Sequence, residues 1–319
     1  MVKRWLPWLV KGGVSAIAIF WVMQKVDIGA AWQQARGIDP GMLALSIVLM
    51  VVQIKLGAVR WGMVLRALGG VFPAGRTLAV YYMGVFFTQV ATVGGDAMRM
   101  LFSCRSGLSL ATSVNSVMLE RGVTVFGLVL LVAGTEPLLL ERVPGIPGAW
   151  VFPALVVVCI AGILALTVLD RLPSSLYRWR LVRGLAQLAA DTRTLFFHPG
   201  WGLGTLAVAI IAHVNLALSL WALAHGLGLP VSALDCMVLF PPVILITTLP
   251  ISVGGLGVRE AAMATIFGFV GVPHNSAVVL SLVFFAVSML TALPGGVVFL
   301  LAGDLRMRGG ALAAEEAEA

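Results

Sequence analysis

Two arginines stand at matched positions in a chain with few charges. Arg99 closes the phrase Val93-Gly94-Gly95-Asp96-Ala97-Met98-Arg99. Arg259 closes Val253-Gly254-Gly255-Leu256-Gly257-Val258-Arg259, 160 residues later. In each copy a glycine pair ends a long apolar run, and the arginine follows five residues after the first glycine. A guanidinium presents a fixed fork of donors that suits the paired oxygens of a phosphate or carboxylate. Glycine permits φ > 0 at a sharp turn. A helix restarting after such a turn adds free N–H groups and the positive end of its dipole. Those are the parts of an anion site. Each part also has a structural reading. Glycines let helices pack closely, and an arginine near a membrane rim can snorkel to water.

Other charges interrupt apolar runs. Asp96 lies beside the first glycine pair, where it either caps the following helix or pairs with an arginine. The second copy has Leu256 there, so the two copies differ chemically. Glu120 and Arg121 break the run from Ala111 to Ala133. Neighbours on a helix point about 100° apart, so these two are not a simple mutual pair. Both are expected to face protein or water and not lipid. Asn115, Glu120 and Thr112 are expected to share a cavity-facing side. Glu260 adjoins Arg259 and is a ready partner for it. Lys55 lies about five residues from the end of its run and is expected to snorkel. The substrate-binding candidates are therefore Gly94, Gly95, Asp96, Arg99, Asn115, Glu120, Arg121, Gly254, Gly255, Arg259 and Glu260.

Other chemistries find no support in the sequence. Cys104, Cys159 and Cys236 make no CxxC and no ligand spacing. His198, His213, His225 and His274 have no metal-type spacing. There is no GxSxG, Walker loop, HExxH or dinucleotide fingerprint. No cofactor, no metal and no enzymatic activity are expected. The net charge of +7 is scattered between apolar runs and is no nucleic-acid signal.

The elements that must position these residues are membrane helices. Charged residues make up 11% of the chain, against about 25% in soluble proteins, and mean hydropathy is +1.02. Apolar runs fall near 5–23, 41–59, 77–93, 112–134, 151–169, 203–224, 233–251, 256–270 and 277–302. The first is read as a retained helix and not as a cleaved signal. If every run crossed once, the arginines at 171, 178, 180, 183 and 193 would lie outside the cell, against the positive-inside rule. Letting 77–110 and 233–270 dip in and return resolves the conflict. Fifteen of the 21 basic residues then lie inside, and only Lys25, Arg36 and Arg142 lie outside. Lys55, Arg121 and Arg259 sit within or at the rim of the apolar zone.

The expected fold is therefore an all-α polytopic membrane protein. It has about six full crossings plus two oppositely oriented re-entrant helical hairpins, an inverted internal repeat. Residues 1–308 form one membrane domain, with pseudo-repeats near 1–150 and 151–303, and residues 309–319 form a flexible tail. The acidic stretch 135–149 is expected outside, and both termini in the cytoplasm. Paired breaks in corresponding places point to a site between the halves.

At these residues the chain resembles the membrane region of lysylphosphatidylglycerol synthases, a family with stand-alone flippase-like members. The resemblance rests on Val93-Gly94-Gly95-Asp96 with Arg99, on Glu120-Arg121 with Gly127, and on Leu249-Pro250-Ile251-Ser252 running into Gly254 through Ala261. It spans about residues 10–303. Gln89-Val90-Ala91-Thr92 lacks the proline usual before the first motif. The resemblance implies an inner-membrane protein that moves a lipid between leaflets, without the soluble synthase domain. Its partner would be a membrane lipid with an anionic headgroup, with a lipid-synthesis enzyme encoded separately. A secondary transporter of a small anion, or a non-catalytic subunit of lipid or cell-envelope synthesis, are the alternatives.

The threading makes a testable statement. A cysteine placed at Ser174 should resist a membrane-impermeant thiol reagent in intact cells and react after lysis. Labelling from outside would overturn the threading.

Overall fold

Helix length sorts this chain into spanning and non-spanning elements. The computed structural model describes residues 27–70, 72–90, 94–142, 150–167, 180–248 and 257–318, with side chains as far as Leu301. Among them are eleven helices and no strand. These are α1 (Ile28–Arg36), α2 (Pro40–Ala67), α3 (Ala74–Val90), α4 (Gly94–Arg105), α5 (Leu110–Arg142), α6 (Val151–Leu166), α7 (Arg180–Phe196), α8 (Pro199–Gly226), α9 (Ala233–Thr248), α10 (Val258–Gly268) and α11 (His274–Glu318). The apolar run expected at 5–23, the pair Gly254-Gly255 and the side chains of the 309–319 tail lie outside the described residues.

Four helices, α2, α5, α8 and α11, are long and apolar enough to cross a membrane. Shorter apolar stretches occupy α6 and α9. The chain is an all-helical polytopic membrane protein. At 1.5 Å per residue, the 17 residues of α3 and 12 of α4 reach about 25 and 18 Å, short of a hydrocarbon core of about 30 Å. They fold back on one another. A Cβ on Gly95 would lie 2.2 Å from the Gly84 carbonyl oxygen, and one on Gly84 would meet the Arg99 stem at 2.8 Å. In a continuous helix residues 84 and 95 would be about 16 Å apart. The next short pair, α9 and α10, also pack together.

Start signals set the long helices. Asp39 accepts the Met42 N–H at 2.8 Å, capping α2, and Pro40 occupies its first turn. Pro199 opens α8 in the same way, and both helices are 28 residues long. They run antiparallel along the largest helix–helix interface. The Asp39 N–H donates to the Gly226 carbonyl. Ser46 meets Ser219 at 2.9 Å, Asn215 donates to Leu49 O and Gln53 Oε1, and Gly204 abuts Met63.

This contact has the form expected of a two-fold relation. If α2–α5 correspond to α8–α11, each helix pairing among them has its mate. The α2–α3, α3–α4 and α4–α5 packings match α8–α9, α9–α10 and α10–α11. The cross-pairings α3–α11 and α5–α8 match α9–α5 and α11–α2. An operation that exchanges antiparallel α2 and α8 must turn about an axis across the bundle. The halves differ in content. The largest apolar cluster, with Leu220, Leu223, Phe240, Met263, Phe267 and Phe284, belongs mainly to α8–α11.

Two expectations need correction. The acidic stretch from 135 is not a loop up to 142, because α5 continues through Glu136, Pro137 and Glu141 to Arg142. A proline well inside a helix requires loss of one backbone bond, which a long apolar helix tolerates. The sequence reading ended this run at residue 134 because of Glu136 and Glu141, but apolar residues resume at Leu138. Secondly, the expected left-handed turn is not at Gly95, which has no positive φ. Gly94 and Gly95 form the first turn of α4, and Gly95 serves close approach to α3.

Gly95→Ala should therefore weaken the α3–α4 hairpin by about 1–3 kcal/mol, since an added methyl meets backbone and must push the helices apart. Gly122→Ala, where an added Cβ meets nothing within 4 Å, is the control. Thermal unfolding of both purified variants in detergent measures the difference, and equal midpoints would refute the packing role.

Candidate functional site

Helices α2, α4 and α5 bring five charges together. Glu120 lies on α5 about 15 Å from its start. Its Oε1 accepts from Arg60 of α2, at 3.0 Å from Nε and 2.5 Å from Nη2. Its Oε2 accepts from Arg99 Nη1 of α4 at 3.1 Å. One carboxylate thus ties three helices. Thr124 returns its hydroxyl to the Glu120 carbonyl at 2.7 Å, one helical turn on. Arg99 reaches further, donating from Nη2 to Asp96 Oδ1 at 2.5 Å. Asp96 then holds Arg121, with Nε to Oδ2 at 2.9 Å and Nη2 to Oδ1 at 3.1 Å. Arg60, Arg99 and Glu120 are buried, whereas Arg121 keeps 43% of its side-chain surface exposed and Asp96 18%.

Aromatic rings fix the inner arginine. The Arg99 guanidinium lies 5.5 Å from the Trp61 ring centre and 5.1 Å from that of Tyr81. Electron-rich faces attract a cation that has lost water. Tyr81 itself sits against Gly57, where any Cβ would overlap its ring.

The second arginine is arranged differently. Gly257 has φ +80°, a left-handed conformation that glycine adopts freely, and it precedes α10. Arg259 follows in the first turn, where a cation opposes the helix dipole. Glu260 offsets this. Its Oε2 accepts the Gly257 N–H at 2.6 Å, and its Oε1 accepts from Arg259 Nη2 at 2.6 Å. Ser281 of α11 accepts from Arg259 Nε at 2.9 Å and donates to Glu260 at 3.0 Å. Phe285 covers the guanidinium at 5.0 Å.

These positions settle several readings. Glu120 and Arg121 do point to different partners, as adjacent helical residues should. Asp96 pairs with two arginines, which was one of its two expected roles. Lys55 is exposed, in keeping with snorkelling. Arg99 does not snorkel out of the protein: it is 5% exposed, against 8% for Arg259, because the α3–α4 fold-back carries its side chain into the bundle. Asn115 does not share a side with Glu120. Five residues place them about 140° apart, and Asn115 donates to Asp191 of α7 at 2.6 Å. Thr112 instead meets Ser109 at the start of α5.

Sequence reasoning missed Arg60, Trp61 and Tyr81. Arg60 was assigned to a cytoplasmic rim with Arg66. The signal was present: six residues separate the two, and only Arg60 shares a helical face with the buried positions Gly57 and Val64.

Family comparison now becomes meaningful. The family described as "Lysylphosphatidylglycerol synthase TM region" matches residues 8–295. The chain belongs to this family. No curated protein matches it significantly. Membership makes it a multi-pass membrane protein related to lipid synthesis or flipping, and the match covers the family's membrane region.

In a bundle of this family member, Glu120 should be the costliest of the charges to neutralise. Glu120→Gln leaves two buried guanidiniums without their shared anion, a loss of about 3–5 kcal/mol. The double variant Glu120→Gln/Arg60→Gln should recover part of that loss. A purely additive double variant, measured by denaturation in detergent, would show that the two residues are not coupled.

Proposed function

We propose that this chain moves a lipid with an anionic or phosphate-bearing headgroup across the inner membrane, without ATP, as a flippase-like transport protein and not as an enzyme. Its charge distribution favours both termini in the cytoplasm. The observation that carries the reading is the balance of the cluster. Three guanidiniums face two carboxylates, and the surplus cation, Arg121, is the exposed one. Moving a bare anion from water into an apolar medium costs on the order of 20 kcal/mol by ideal ion-transfer reckoning. A headgroup passing through the bundle needs donors that replace its water along the way. Arg121 supplies a forked pair of N–H groups at the exposed end of the cluster. The N-terminus of α4 adds the positive end of its dipole close by.

Family membership supports lipid handling over uptake of a small soluble anion. Arg259 supports the same reading from the other half, as a second buried cation in the matched motif. The geometry also offers Arg259 a structural task through Glu260 and Ser281, so the two must be separated by experiment.

Full-length protein in vesicles with fluorescent phosphatidylglycerol should carry the label between leaflets faster than empty vesicles. Arg259→Ala and Arg121→Gln, each normalised to folded protein, should slow it about tenfold or more, the loss of one charge-assisted donor pair. Lys55→Gln should leave it unchanged. Well-folded Arg259→Ala and Arg121→Gln proteins moving lipid at the unaltered rate would reject this assignment of the path. Wild-type protein moving no lipid would reject the function.

A further inference from the structure

We propose that the Asp96 carboxylate occupies the place that a phosphate-type oxyanion takes between Arg99 and Arg121, so that Asp96 is a built-in competitor for the headgroup. This rests on the lipid-transport reading above and adds to it the identity of the anion position and the device that empties it.

The argument starts from how Arg121 is used. Its Nε and Nη2 each meet a different Asp96 oxygen, at 2.9 and 3.1 Å. This side-on pair of parallel bonds is the arrangement by which arginine takes a phosphate or a carboxylate. Arg99 Nη2 approaches Oδ1 from the other helix at 2.5 Å. Three N–H groups from two arginines therefore converge on one small anion. A phosphate diester monoanion carries the same charge as Asp96 and two free oxygens that accept the same donors.

The rest of the cluster does not need Asp96. Arg99 stays anchored by Glu120 through Nη1 and by the Trp61 and Tyr81 rings. Glu120 is buried at 2% exposure and cannot be reached by a headgroup, whereas Asp96 and Arg121 are the two members open to the surroundings. Turning the Asp96 side chain away would leave both guanidinium edges in place and raise the local surplus from one positive charge to two. An incoming anion would restore the original balance. Buried Arg99 keeps its Glu120 partner throughout the exchange. It also limits how long a headgroup stays, because the returning carboxylate competes for the same donors. A carrier needs such a limit, since a headgroup held too tightly does not leave. The matched position in the second half is Leu256, which offers no such competitor.

Calorimetric titration of the purified full chain in an uncharged detergent tests this. The ligands are dihexanoylphosphatidylglycerol, inorganic phosphate, and dihexanoylglycerol as the uncharged control. Asp96→Asn should bind both oxyanions about tenfold more tightly than the unaltered protein, about 1.4 kcal/mol. Binding of dihexanoylglycerol should not change. Adding Arg121→Gln to Asp96→Asn should abolish the gain. Unchanged or weaker oxyanion binding by folded Asp96→Asn overturns the proposal. Where Asp96→Asn does not fold, Arg121→Gln alone decides: it should lose oxyanion binding, and retention at the unaltered level overturns the proposal. A gain for phosphate without one for the lipid keeps the anion position and removes its lipid occupant. Tightened binding together with no lipid movement in vesicles sinks the transport reading alone. Lipid movement with unchanged Asp96→Asn binding sinks this inference alone.

Discussion

Glu120 holds a carboxylate where water does not reach, and its neighbours follow from that constraint. An anion there needs donors for both oxygens, and Arg60 and Arg99 come from two different helices to supply them. Arg99 can arrive only because α3 and α4 are pressed together through Gly84 and Gly95. The glycine pair therefore acts upstream of the charge, by setting the depth of α4. The two cations then outnumber the one anion, and Asp96 and Arg121 continue the chain of alternating charge outward to the open side. Packing and electrostatics are one problem at this point: a methyl group on Gly95 would move the Arg99 guanidinium.

The two halves solve the same architectural problem with different chemistry. Both contain a long helix with proline in its first turn, a pair of short helices and a second long helix. Both place an arginine of the short pair against the following long helix. In the first half that helix offers Glu120; in the second it offers Ser281. The second half makes up the missing anion locally, with Glu260 in the first turn of α10. It also carries most of the apolar core. Charge is concentrated in one half and apolar packing in the other, although the helix pairings correspond.

Much of this arrangement was legible in the sequence. Long apolar runs read directly as helices, because hydrophobic length is the dominant signal in a bilayer. The break at Gly94 was visible as a glycine pair between two runs, and the split partnership of Glu120 and Arg121 followed from helical geometry. Other features depend on contacts between distant segments. Nothing local to Arg60 states that Glu120 will lie opposite it, and a charge count assigns both Arg60 and Arg66 to the same rim. The burial of Arg99 depends on the α3–α4 fold-back, a contact between segments that neither run displays by itself. Asn115 was misplaced because five residues were treated as one face. Of the two roles read for the motif glycines, close packing in a helical conformation describes Gly95, and a left-handed conformation describes Gly257.

The order in which these contacts lie along the chain bears on how the protein is made. Every member of the five-charge cluster falls between residues 60 and 121, so its ion pairs can close before the second half has left the ribosome. The α2–α8 seam is different. Ser46 and Gln53 wait for Ser219 and Asn215, more than 150 residues later. During synthesis the five charges of the cluster are thus neutralised early, whereas the α2 side of the α2–α8 seam leaves uncharged hydroxyl and amide groups waiting for the second half to arrive.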